Sequence, residues 1–330
     1  MSVQMRVVTE DEADIRLDRW FRRHFPTVTQ GAIQKFCRTG QVRVDGKRAE
    51  AATRLAPGQA VRVPPVPEAP APAPRSVMRL DAPALAELEG MVLYLDEHLI
   101  VINKPPGLPV QGGPGIARHL DGMLDGLRFG AGRPRLVHRL DRDTSGVLAL
   151  ARTPGSAAKL AAAFRTRAVE KTYWAVVAGR PVPVEGRIDL SLVRIGGARG
   201  ERTMPADRDD PEAARAITDY RTLDNAAQKL AWLELQPLTG RTHQLRVHCV
   251  AIGAPILGDV KYAEPDQNDA GSALVAGLSD RLHLHARALR LPHPAGGTVM
   301  VEADLPPHMR GTFQTLGFAA PAARAPQRSR

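Results

Sequence analysis

The sequence predicts an α+β protein in which a sheet-rich domain follows a small α/β head. Three observations carry that reading. Beyond residue 90, short apolar runs of strand length outnumber helical stretches, and most of the loops joining them are short. Residues 1–63 form a separate pattern, two helical stripes followed by a hairpin signal. Between them lies PPVPEAPAPAPRSV, residues 64–77, whose prolines hold an extended, semi-rigid chain. The boundaries follow: 1–63 for the head, 64–89 for the Pro-rich linker, 90–315 for the large domain, and 316–330 for a basic tail whose composition predicts disorder.

In the head, Ile15, Leu17, Trp20, Phe21 and Phe25 make an apolar stripe, with Arg16, Arg19, Arg22 and Arg23 on the other faces. A second helix starts after Thr29, turns Ile33, Phe36 and Cys37 inward, and stops at Gly40. Val42-Arg43-Val44 then alternates into Asp45-Gly46, a strong hairpin signal, followed by Lys47 and Arg48.

The large domain opens with two short strands, 91–95 and 99–102, and a rigid Pro/Gly loop, Asn103-Lys104-Pro105-Pro106-Gly107-Leu108-Pro109-Val110. The stretch Leu136-Val137-His138-Arg139-Leu140-Asp141-Arg142-Asp143-Thr144-Ser145-Gly146 follows, a charged turn leading into the buried-strand run 147–151. Next come an Ala-rich helix over 156–167 and a strand over 170–179 with Tyr173 near its entrance. An exposed excursion over 196–214 precedes a strand at 230–235. Thr242 is placed to N-cap a helix over 243–252 with Gly253 as its stop, and Arg246 lies on a mixed face of that helix. A loop at 263–279 and late strands at 282–286 and 298–301 complete the pattern.

Composition narrows the function. The chain has 45 Lys+Arg against 35 Asp+Glu, net +10, which suits a polyanionic partner, and Arg leads that surplus. Its two cysteines, Cys37 and Cys249, are too far apart for a metal pair and imply no disulfide framework. The acidic N-terminus is unlike a signal peptide and no apolar run reaches membrane-spanning length, so the expectation is a soluble, cytoplasmic protein without a membrane partner. Dinucleotide, P-loop, G-x-S-x-G and kinase signatures are absent. What remains is one well-placed aspartate, an aromatic hydroxyl and several arginines. A carboxylate oriented by an arginine can act as a covalent nucleophile without a cofactor, chemistry that suits cleavage and re-formation of a glycosidic bond. A metal nuclease built on His138, Asp141 and Asp143 is the rival, although the other acidic residues show no supporting group.

Two resemblances sharpen this reading. The head, with helix, basic loop, Gln41-Val42-Arg43-Val44-Asp45-Gly46 and a later Leu55 and Gly58, resembles the S4-type RNA-binding domain. That implies Arg38, Arg43, Lys47 and Arg48 as phosphate contacts, which give affinity and register but no base readout. The large domain resembles the RluA family of pseudouridine synthases. The match lies in Val101-Ile102-Asn103-Lys104-Pro105-Pro106-Gly107, in His138 to Gly146, and in Thr239-Gly240-Arg241-Thr242-His243-Gln244-Leu245-Arg246-Val247-His248. It continues through Pro255-Ile256, Gly258-Asp259, Leu284-His285-Ala286 and His293-Pro294. One departure is Gln111, where that family often has histidine.

The resemblance implies a mixed, mainly antiparallel catalytic sheet and no cofactor or metal. It implies Asp141 as nucleophile and Arg246 as the arginine paired with it. Tyr173 would stack on a flipped uracil and take its C5 proton, and Arg139 would fill the place the uridine leaves. Leu245, His138 and Arg241 are the further substrate-contacting candidates. Attack on C1′, addition to C6 and abstraction of a sugar proton are all open to such an aspartate. The head and linker resemble the RluC branch, which implies large-subunit ribosomal RNA as substrate; the oligomeric state is open from sequence, with a monomer as the expectation. A tRNA-directed synthase and a non-catalytic RNA-binding or ribosome-assembly factor are the alternatives.

Overall fold

The computed structural model describes residues 3–66, 80–113, 115–196, 202–262 and 277–329. The chain divides into two compact units, Met1–Arg79 with Thr153–Ala158, and Leu80–Arg152 with Lys159–Arg330.

The first unit contains β1 (Gln4–Val7), α1 (Leu17–His24), α2 (Gln30–Arg38), β2 (Arg43–Val44), β3 (Lys47–Arg48) and β4 (Ala60–Val63). Its antiparallel sheet runs β1-β4-β2-β3. Trp20, Phe21 and Phe25 pack fully buried against Ile33, Val42 and Val61, so the stripe on α1 is the core face its spacing predicts. The Thr29 hydroxyl accepts the Ala32 amide and caps α2. Asp45 (φ 48°) and Gly46 (φ 75°) both take the left-handed conformation that a two-residue hairpin requires.

The second unit is built on one large sheet. Its elements are α3 (Ala82–Gly90), β5 (Val92–Leu95), β6 (Leu99–Lys104), α4 (Leu120–Met123), β7 (Arg135–Leu136), β8 (Ser145–Ala151), α5 (Pro154–Arg165, whose residues 154–158 are grouped with the first unit) and β9 (Glu170–Ala178). They continue with β10 (Glu185–Ile195), β11 (Arg202–Ala206), β12 (Ala214–Ala226), β13 (Leu230–Pro237), α6 (Gln244–Ala251), β14 (Leu284–Pro292), β15 (Thr298–Glu302), α7 (Pro307–Leu316) and β16 (Gln327–Ser329). The strand order is β11-β10-β12-β13-β9-β14-β8-β6-β5, with β15 on β14, β16 on β15 and β7 on β8. Every pairing is antiparallel except β14 with β8, which gives the expected mixed, mainly antiparallel sheet.

Alternation along β9 sends its side chains to two cores. Ala175 and Val177 join Leu233, Leu245 and Cys249 beneath α6. Trp174 and Val176 join Trp232, Met309 and Phe313 beneath α7. β8 is buried at every residue, which explains why 147–151 reads as an unbroken apolar run.

Several boundaries differ from the sequence reading. The linker was expected over 64–89, but 81–90 belongs to the second unit. Asp81 caps α3 by accepting the Ala84 amide at 3.0 Å, and Leu88 is fully buried. The prolines at 67–79 lie outside the described residues. The tail, expected to be disordered over 316–330, is held in place over 316–329 instead. Phe318 joins the α7 core, Asp304 and Glu302 accept the Ala323 and Arg324 amides, and β16 extends the sheet. Composition cannot report an edge strand that is anchored through its backbone. Within the excursion over 196–214, residues 202–206 form β11 against β10. The strand expected at 282–286 runs from Leu284 to Pro292, and most of the 263–279 loop lies outside the described residues. Among the described residues, no helix is long and apolar enough to cross a membrane.

Candidate active site

One row of residues runs across the centre of the second sheet. Register pairs Lys104 with Gly146, Gly146 with Ala286, Ala286 with Tyr173, and Tyr173 with Leu235. Stretches more than a hundred residues apart therefore meet on one line. Gly146 (φ 110°) is indispensable to it, because a Cβ there would collide with the Ala286 carbonyl. Five residues before Gly146, on the loop entering β8, is Asp141.

Asp141 borders a cavity of about 520 Å³, also lined by Tyr173, Lys171, His243, Leu245 and Arg246. Its loop is fixed from below. Lys104 is fully buried, and its Nζ donates to the carbonyls of Pro105, Leu108 and Arg142 at 2.9–3.0 Å. Burial pulls that lysine down to about 7, and the Asp143 and Asp141 carboxylates pull the other way. The Gly107 amide also donates to the Arg142 carbonyl, tying the Pro/Gly loop to the loop that carries Asp141.

Arg246 reaches the cavity from α6. It was expected to pair with Asp141, but its two-pronged bond goes to Asp259: Nε to Oδ2 at 2.7 Å and Nη2 to Oδ1 at 2.6 Å. Its remaining nitrogen, Nη1, stands 4.0 Å from Asp141 Oδ2. Asp259 is 1% exposed and also accepts the Lys261 and Tyr262 amides. The turn before it depends on Gly258 (φ 74°), where a Cβ would overlap the Arg281 carbonyl. His243 Nε2 approaches the same Asp141 oxygen to 3.9 Å. Asp141, 30% exposed, is therefore flanked by two donors without being locked by either.

Thr242 does not cap α6. The residue before the helix is His243, in the left-handed conformation at φ 55°. Gln244 holds the preceding turn by accepting the Arg241 amide, while its own amide reaches Ile217 and Thr218 on β12. The Thr242 hydroxyl instead accepts from Arg139 at 3.2 Å, at the exposed rim of the cavity. Arg241, also exposed, donates to the Arg215 carbonyl.

Tyr173 lies half-buried against the core under α6. Burial pushes its phenol well up, and the Asp141 carboxylate adds to the shift, so the hydroxyl keeps its proton at neutral pH. Lys171, two residues earlier on the same side of β9, donates to the Thr239 carbonyl. Burial, helped by Arg167, brings it down to about 8. Leu245 is 7% exposed and lines the cavity from α6.

His138 borders the cavity in a supporting position. Its ring stacks on Phe164 at 4.2 Å and its Nε2 accepts the Ala149 amide of β8. Burial lowers its pKa to about 3, which keeps it neutral. Asp143 pairs with Arg142 at the surface. Two of the three residues of the nuclease alternative, His138 and Asp143, thus serve other partners. Among the described residues, no group of three or more His, Cys, Asp or Glu side chains could hold a metal ion.

In the first unit, Arg38 ends α2 while Arg43, Lys47 and Arg48 lie on the β2–β3 hairpin, all exposed. Sequence reasoning quoted Asp259, His243 and Lys171 without giving them a role and passed over Tyr262. The signal for Asp259 was an acidic residue directly after a glycine in a matched motif. Tyr262 had no sequence signal.

Comparison with known proteins identifies the kind of protein this chain is similar to. A family model described as RNA pseudouridylate synthase matches residues 98–251. The chain is 36% identical over 295 residues to ribosomal large subunit pseudouridine synthase C of Rickettsia typhi, covering 88% of this chain and 94% of that protein. It is 35% identical over 321 residues to the protein of the same name from Escherichia coli O6:H1, covering 96% and 97%. Among solved structures, human RNA pseudouridylate synthase domain containing 4 is similar at a TM-score of 0.61 and 32% identity, covering 72% of this chain and 97% of that one.

Proposed function

The chain belongs to the RluA family of RNA pseudouridylate synthases, and on that premise we propose that it isomerises uridines of large-subunit ribosomal RNA by flipping each into the Asp141 cleft. The observation that carries the assignment of roles is convergence. Asp141, Tyr173 and Arg246, from three separate stretches, line a single cavity of about 520 Å³. The choice of RNA is supported by the printed names of relatives that align along nearly their whole length.

Isomerisation breaks N1–C1′, turns the base and joins C5 to C1′. The C5 proton is then lost and N1 gains one. A helix hides these atoms, so the nucleotide must leave its stack. Arg139, exposed at the rim beside Thr242, fills the place it leaves, and Tyr173 and Leu245 hold the base. Stacking contacts of this kind are worth about 1–3 kcal/mol per base. Asp141 acts as the nucleophile, with Arg246 aimed at it by Asp259. Because Tyr173 starts protonated, accepting the C5 proton requires its phenolic proton to pass on, so that across the reaction C5 loses one proton and N1 gains one. The detached uracil stays trapped in the cleft, so re-addition is effectively intramolecular. Arg38, Arg43, Lys47 and Arg48 of the S4-type head contact phosphates.

The test is tritium release from [5-³H]uridine-labelled large-subunit rRNA by native protein and by Asp141→Asn. Release by the native protein alone, with RNA affinity of the variant within a few-fold, is the expected result. Equal loss of binding and turnover would remove Asp141 from the chemical step.

A further inference from the structure

The His243–Tyr262 pair beside the nucleophile has no part in the roles above. Tyr262 follows the Asp259 turn, and its hydroxyl lies 2.6 Å from His243 Nδ1. The same oxygen accepts the Thr203 backbone amide of β11 at 2.9 Å. An amide can only donate, so it takes one lone pair of the phenol and leaves the phenolic hydrogen free to point at the imidazole. Two arrangements of the ring proton then compete. If Nδ1 carried it, the Nε2 lone pair would face the Asp141 carboxylate 3.9 Å away, a repulsive alignment. If Tyr262 donates to Nδ1, the proton sits on Nε2 and its N–H points towards Asp141. Burial raises the Tyr262 phenol and lowers the His243 imidazole, which keeps one protonated and the other neutral.

We infer that His243 is a positioning residue for Asp141: the Tyr262 hydroxyl places the imidazole proton on Nε2, and that N–H orients the carboxylate for attack. Arg246 and His243 approach the same oxygen, Oδ2, at 4.0 and 3.9 Å. They bias one side of the carboxylate and leave Oδ1 to the substrate. Both are set by the same short turn, Asp259 holding Arg246 and Tyr262 holding His243. Arg246 also lies over the Tyr262 ring at 4.9 Å, so one aromatic side chain steadies both donors. The inference rests on the catalytic role proposed for Asp141.

Two measurements test it. In full-length protein labelled with ¹⁵N-histidine and free of RNA, the His243 ring nitrogens report the tautomer directly, with His243→Gln identifying the signals. Protonated Nε2 and accepting Nδ1 are expected, with loss of that preference in Tyr262→Phe. A protonated Nδ1 in the native protein would overturn the inference, whether or not any variant folds. The second measurement is steady-state tritium release. His243→Ala should lower kcat about 10- to 100-fold with KM within two-fold. His243→Gln, which keeps a donor at the ε position, should recover most of the loss. Tyr262→Phe should cost less than His243→Ala and add nothing to it, because it acts through the same ring. Additive losses, or a loss confined to KM, would overturn it. If the native protein released no tritium from any uridine RNA, the proposed reaction would fail, while the tautomer result would stand separately.

Discussion

Replacing Asp259 with asparagine probes the centre of the site without touching a residue proposed to contact substrate. Asp259 is 1% exposed, and its two oxygens accept Arg246 Nε and Nη2 at 2.7 and 2.6 Å. In Asp259→Asn one of these bonds survives on the amide oxygen. The other becomes donor against donor, and the guanidinium, 7% exposed, loses its near counter-charge. Removing one partner of such a buried pair costs about 3–5 kcal/mol. For a unit of this size that corresponds to a melting temperature lower by roughly 6–20 °C. The only other carboxylate near Arg246 among the described residues is Asp141, 4.0 Å from Nη1. An arginine freed from Asp259 closes on it, recovers part of the stability, and ties up the nucleophile. The variant should therefore melt early and lose kcat by about 10²-fold, the scale of losing one preorganised donor. Differential scanning calorimetry and tritium release on the same preparation measure both. A melting temperature and kcat indistinguishable from the native protein would refute the claim that Asp259 aims Arg246.

Tyr173→Phe should lower kcat by roughly 10²-fold or more while RNA affinity holds, because the ring still stacks and only the proton route is lost; an unchanged kcat would remove the hydroxyl from the reaction. Deleting residues 1–63 should weaken binding to large RNA and flatten the dependence of log K on log salt, since Arg38, Arg43, Lys47 and Arg48 leave with it; an unchanged salt slope would show that the head binds no phosphates. Stability should fall on acidification from pH 6.5 towards 4. Burial holds His248, His283 and His285 at about 4, below the ordinary imidazole value. Between those limits the unfolded chain binds protons that the folded one refuses, so lowering the pH favours unfolding, by up to about 1.4 kcal/mol per pH unit for each histidine. Urea midpoints at pH 6.8 and 4.8 that coincide would contradict it.

Reading the chain alone was enough for the class of fold, the helices and hairpin of the head, and the stretches that meet around the cavity. Those signals are local. Apolar spacing sets a helical face, as in Leu17, Trp20 and Phe21, and Asp45-Gly46 selects a hairpin through backbone conformation alone. The motif around Asp141 was legible because charged residues crowd the entrance to an apolar strand. The tertiary structure decided who pairs with whom. Arg246 lies five residues along the chain from Arg241, yet its partner is Asp259, reached by a turn that only a glycine at 258 permits. Tyr262 joins the site by a hydroxyl bonded to His243 on one side and to the β11 backbone on the other. The tail became a strand because Gln327–Ser329 pair with β15, after Asp304 and Glu302 have accepted the Ala323 and Arg324 amides on the way. A periodicity or a motif describes what neighbours in sequence prefer. Lys104, Gly146, Ala286 and Tyr173 form one row only after the sheet closes its register, and that register is a property of strands far apart in the chain.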